Sequence, residues 1–215
     1  MNASTARLSA LSVLWVQVVG LVIGGVYLAS EISGPVRWLS LADAALVSLS
    51  LGLWTALLGG FLRGSSVPGN HKLLLAFRLV FPWLIALRAA TWLLQTLTIL
   101  GGAGDTSNPV AVILLFLASG AGVVANLAIF AISSLLFTQP ENAVGRARLL
   151  TWLNFSATIS VAVTIMNIWP PTGFAPTPSL IDRSIYGLGG ALDVAATLLL
   201  MQAVRLMGKS DIRSR

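Results

Sequence analysis

Six long apolar stretches, separated by short polar breaks, constrain this chain more than any other feature. They run approximately from Leu8 to Ala29, Leu41 to Leu62, Leu73 to Leu100, Val110 to Phe137, Leu149 to Trp169 and Ile185 to Met207. A helix rises ~1.5 Å per residue, so roughly twenty apolar residues cross the ~30 Å hydrocarbon core of a bilayer. The expected fold is therefore all-α, a polytopic bundle of about six transmembrane spans with short loops, forming a single membrane domain over residues 1–215. Composition leaves few alternatives. The chain is 56% hydrophobic and 9% charged, whereas a soluble domain carries roughly 25% charged residues.

The breaks EISGPVRW, RGSSVPGNHK, GGAGDTSNP, TQPENAVGRAR and PPTGFAPTPSLIDRS are rich in Gly, Pro, Asn and Ser, residues that supply helix-ending backbone conformations. None is long enough for a soluble domain. The first stretch is longer than the apolar region of a signal peptide and reads as a retained span. Residues 208–215 read as a short basic tail.

Basic residues set the expected orientation. Nine of them (Arg7, Arg63, Lys72, Arg146, Arg148, Arg205, Lys209, Arg213 and Arg215) fall on the side of the termini, and only Arg37 and Arg183 fall opposite. Under the positive-inside rule both termini are expected in the cytoplasm. The formal net charge of +6 is thus a matter of topology, and no nucleic-acid partner is expected because the basic residues do not share one face.

Several chemistries are excluded. With no cysteine and one histidine, His71, the chain alone can build neither a thiolate metal site nor a bis-histidine haem. No nucleotide or other cofactor motif is present, so no metal and no cofactor is expected.

Intramembrane polar residues are the remaining clues. Arg88 lies mid-way along the third stretch and Asp193 mid-way along the sixth, at matching depth. A charge there costs at least several kcal/mol unless paired or hydrated, which predicts that the two meet or share a polar cavity. Gln95, two turns after Arg88 on nearly the same face, joins them as a candidate ligand-binding residue. A structural ion pair fixing helix register is the alternative. Asp43, near the start of the second stretch, reads as a helix-end carboxylate. Pro82 offers a kink that would open space beside Arg88, and Asn126, Asn154 and Asn167 read as interhelical hydrogen-bonders.

The second stretch carries a small residue at every fourth position, Ala44, Ser48, Gly52, Ala56 and Gly60. Such a ridge lets another helix approach closely, from within the chain or from a partner. A homo-oligomer or a larger membrane complex would use it in the second way.

Two family resemblances bear on enzymatic function. Ala118-Ser119-Gly120 and Gly187-Leu188-Gly189-Gly190 resemble fragments of rhomboid intramembrane proteases. That family needs a histidine in its sixth span to activate the serine, and His71 stands between the second and third stretches, so the serine lacks a base. In plan the chain is also similar to membrane-bound terpene cyclases, where acidic residues act on lipophilic substrates. That likeness would make Asp193 and Asp43 catalytic acids, although the family's Trp-Glu dipeptide is absent. Three expectations follow: a transport-type component with a midplane site at Arg88, Asp193 and Gln95; a non-catalytic accessory subunit; or an embedded acid-catalysed cyclase or isomerase. A non-enzymatic role is favoured, and the kind of membrane is left open.

Overall fold

The computed structural model describes residues 2–31, 34–64, 71–100, 109–169 and 179–213. It contains six helices: α1 (Ala3–Glu31), α2 (Pro35–Phe61), α3 (His71–Leu100), α4 (Pro109–Leu136), α5 (Ala143–Ile168) and α6 (Leu180–Arg213). All six are long and apolar enough to cross a membrane. The chain is an integral membrane protein built as a six-helix bundle.

Each helix begins before the apolar stretch that announced it, and local chemistry explains where several of them start and stop. Asn2 accepts the Thr5 backbone N–H at 2.8 Å and Asn142 accepts that of Gly145 at 2.8 Å, so a side-chain oxygen satisfies an otherwise orphaned donor in each first turn. At α6, Ser179 and Asp182 form a reciprocal capping box: the Asp182 N–H donates to Ser179 Oγ at 3.1 Å, and the Ser179 N–H donates to Asp182 Oδ2 at 3.0 Å. Pro35 opens α2, where its missing N–H costs nothing. The same helix ends in a turn closed by Gly64, whose φ of 72° suits a residue without a Cβ. At the other end of the chain, α6 continues to Arg213, so residues 208–213 are helical.

Every helix packs on its neighbours in sequence, and α6 packs back on α1. The result is a closed ring in chain order. Its fully buried apolar side chains concentrate in the half nearer the termini, here the proximal half. They include Ala6, Ala10 and Leu14 of α1, Leu57, Leu58 and Phe61 of α2, Phe77 and Phe81 of α3, Leu149 of α5, and Leu200 and Val204 of α6. Phenylalanines of α3, of α4 and of the turn after α4 interlock there. Phe77 lies 5.1 Å from Phe81, 5.4 Å from Phe130 and 5.8 Å from Phe137 between ring centroids, and Phe81 stacks on Phe130 at 5.1 Å. Beside them the Trp54 indole donates to Ser133 Oγ at 2.9 Å, which gives a buried aromatic its polar partner.

The distal half is joined differently, through glycines and small residues at the helix seams. A Cβ placed on Gly25 of α1 would stand 2.5 Å from the Ala44 Cβ of α2, and one on Gly190 of α6 would run into Thr164 of α5. Between α3 and α4, Trp92 lies over Gly120 and donates to the Phe116 carbonyl at 3.1 Å. Outward-facing residues such as Leu79, Trp83, Leu97, Leu117 and Leu188 are exposed and contact lipid.

Candidate functional site

Helical phase decides which polar residues face the bundle interior. On α3 the buried positions Leu74, Phe77, Phe81 and Leu84 recur at intervals of three and four residues, and Arg88 is the next in that series. On α1, Ala6, Ala10 and Leu14 lead to Gln17; on α6, read backwards from Val204, Leu200 and Ala196 lead to Asp193. Asp43 likewise continues the α2 stripe that carries Phe61, Leu57, Trp54 and Ser50. Four helices therefore change from apolar to polar where the proximal core ends. Ser50 is 1% exposed, and its hydroxyl has no hydrogen-bond partner among the described residues.

The polar side chains pair across two seams. Arg88 Nε contacts Asp43 Oδ1 at 3.4 Å between α3 and α2, with side chains 37% and 43% exposed. Gln17 Nε2 donates to Asp193 Oδ1 at 2.7 Å between α1 and α6. The first contact is long and engages one of five guanidinium donors. The second is short and draws on a side chain only 9% exposed, because a carboxylate inside a membrane bundle needs a donor.

The expected meeting of Arg88 with Asp193 is not what the structure contains. Arg88 turns to Asp43, which stands two turns inside α2 and is not a helix-end carboxylate, since the helix begins at Pro35. The reason is the order of the helices joined to height: α3 packs on α2 and α4, whereas α6 packs on α1 and α5. Arg88 follows His71 by seventeen residues and Asp43 precedes Phe61 by eighteen, placing both about 26 Å from the proximal helix ends on adjacent antiparallel helices. The sequence held this signal in the spacing. Gln17 follows Ala3 by fourteen residues, and Asp193 precedes Met207, the end of the sixth apolar stretch, by fourteen. The side chain of Gln95 lies outside the described residues.

The small-residue ridge of α2 turns toward α1 at two of its members: Ala44 abuts Gly25, and Gly52 sits beside Trp15 and Val18. Ser48 is buried, with its hydroxyl unpartnered among the described residues. The kink residue Pro82 sits within α3, which runs unbroken from His71 to Leu100. Among the described residues the side chains of Asn126, Asn154 and Asn167 form no interhelical hydrogen bond, and Asn154 faces outward. His71 is the first residue of α3 and exposed, so the chain's one histidine is not in α6, where the rhomboid resemblance would need it. Among the described residues no group of His, Asp and Glu is arranged to hold a metal ion. No protein-family model, curated protein or solved structure matches the chain.

Proposed function

We propose that the bundle binds a small polar ligand or ion at the layer formed by Gln17, Asp43, Arg88 and Asp193, as a transport-type membrane component. The observation carrying this reading is the switch from apolar to polar on the interior stripes of four helices, directly above a closed aromatic core. A pair built only to lock helix register would be buried and bidentate, whereas Arg88 and Asp43 share one contact at 3.4 Å and remain more than a third exposed. Spare guanidinium donors and carboxylate oxygens are thus left for a ligand. Below the layer the rings of Phe77, Phe81, Phe130 and Phe137 pack together, so on this reading transfer to the proximal side requires that cluster to open.

The catalytic alternative is less well supported. Asp43 and Asp193 sit on different seams with different partners, and two acids acting on one lipophilic substrate should converge. The accessory-subunit alternative loses part of its support because the α2 ridge meets α1 of the same chain at Ala44 and Gly52.

Native mass spectrometry of the intact protein from mild detergent tests the reading. A small molecule or ion should travel with the wild-type chain and be lost from Arg88→Gln, while Arg88→Gln keeps its folded yield. A wild-type chain carrying nothing, or an Arg88→Gln variant that fails to accumulate while Arg88→Lys restores it without any bound species, would point to a purely structural pair. Proximal-side cytoplasmic exposure, expected from the arginine bias, is testable by protease access to the C-terminal end in sealed vesicles.

A further inference from the structure

Three arginines from distant parts of the chain converge on the proximal end of the ring. Arg63 lines two adjoining clefts of about 200 and 300 Å3; Arg146 joins it in the smaller and Arg7 in the larger, and Leu62 and Met207 line both. Among the described residues that line the clefts, Glu141 is the one carboxylate, set in the smaller cleft with Pro140. The shared arginine is held by the turn that ends α2, where the Arg63 N–H donates to the Gly60 carbonyl at 3.0 Å and the Gly64 N–H to Phe61 at 2.8 Å. The side chains of Arg7 and Arg63 make no hydrogen bond or ion pair among the described residues.

We infer that these clefts form a binding site for a phosphate-bearing molecule, with Arg63 at its centre and Arg7 and Arg146 on either side. Topology alone places arginines at a membrane surface, but it does not bring the first turns of α1, the end of α2 and the start of α5 around one floor of Leu62 and Met207. Guanidinium groups bind phosphate through paired, charge-assisted hydrogen bonds. An apolar floor suits the carbon chain that a phosphoryl group carries. Glu141 repels the anion from the Pro140 side and so directs it toward Arg63 and Arg7. The clefts stand at or below the small end of ligand sites, which run from roughly 300 to 1,000 Å3, and this fits a headgroup or a small phosphate better than a large substrate. The site lies far from the midplane layer and does not depend on its reading.

Native mass spectrometry of the full chain in mild detergent tests this, with dioleoylphosphatidylglycerol, dioleoylphosphatidylcholine and inorganic pyrophosphate as separate probes. Wild type should retain phosphatidylglycerol or pyrophosphate well above phosphatidylcholine. Arg63→Gln should lower that retention about tenfold or more, Arg7→Gln should lower it less, and Arg205→Gln, which removes an exposed proximal charge outside both clefts, should leave it unchanged. Retention of the lipid alone identifies a headgroup as the source, and retention of pyrophosphate identifies a free phosphate compound. Should Arg63→Gln fail to fold, Arg7→Gln decides. Retention of neither anion above phosphatidylcholine overturns the site, and so does a loss with Arg205→Gln equal to that with the cleft variants.

Discussion

The two halves of this bundle are held together by different physics. Near the termini, large aromatic and aliphatic side chains fill the ring, and Phe61, Phe77 and Phe137 are at most 1% exposed. Beyond the midplane, helices touch through glycine and alanine seams, and the interior stripes turn polar. Lipid tails are as apolar as leucine, so neither half gains from excluding water as a soluble core does; both depend on contact and on satisfied polar groups. The proximal half achieves contact by interdigitation. The distal half achieves it by backbone approach, which leaves its interior stripes free to carry Gln17, Asp43, Arg88 and Asp193.

The largest effect should come from the filled half. Phe77→Ala removes a ring that touches three others, and the lost packing plus the cavity should cost about 3–5 kcal/mol. Reversible unfolding in detergent, or yield of folded protein, measures it; a loss under 1 kcal/mol would erase the contrast between halves. Next comes a seam. Gly25→Ala drives a methyl group into Ala44 across the α1–α2 contact, with an expected cost of about 1–3 kcal/mol, and Gly25→Ala paired with Ala44→Gly should recover part of it. Gln17→Ala comes third. It strips the donor from the Asp193 carboxylate, and leaving that group unmade should cost about 1–3 kcal/mol unless Asp193→Asn accompanies it. Smallest of all is Gly122→Ala. An added Cβ there meets nothing within 4 Å, so unfolding stability in detergent should change by no more than about 0.5 kcal/mol. A large loss at Gly122 would mean that a partner helix covers it.

The sequence made the fold legible because hydropathy reports the bilayer directly: every helix of the ring covers one of the six apolar stretches to within a residue. Pairing was harder to read. Arg88 was visible as a mid-span charge, but its partner Asp43 lay so near the start of its apolar stretch that it resembled a cap; only the start of α2 at Pro35 puts it two turns deep. Gln17 went unread because an uncharged amide hardly interrupts an apolar run. Depth along the chain is a one-dimensional quantity and can be counted, whereas the order of helices around the ring is not, and that order decided that Arg88 faces α2 and Asp193 faces α1.

Because the chain has no cysteine, single cysteines can report how far water reaches into the bundle, and that access is the most direct test of a ligand-binding polar layer. With a membrane-impermeant methanethiosulfonate reagent applied from the distal side of sealed vesicles, Arg88→Cys and Asp43→Cys should react. Leu84→Cys, one turn toward the core, and Leu49→Cys, facing lipid, should not. Reaction at positions 43 and 88 alone would show an aqueous path ending at the polar layer. Silence at both, in folded protein, would contradict a site open to solvent and leave Arg88 and Asp43 as a structural pair.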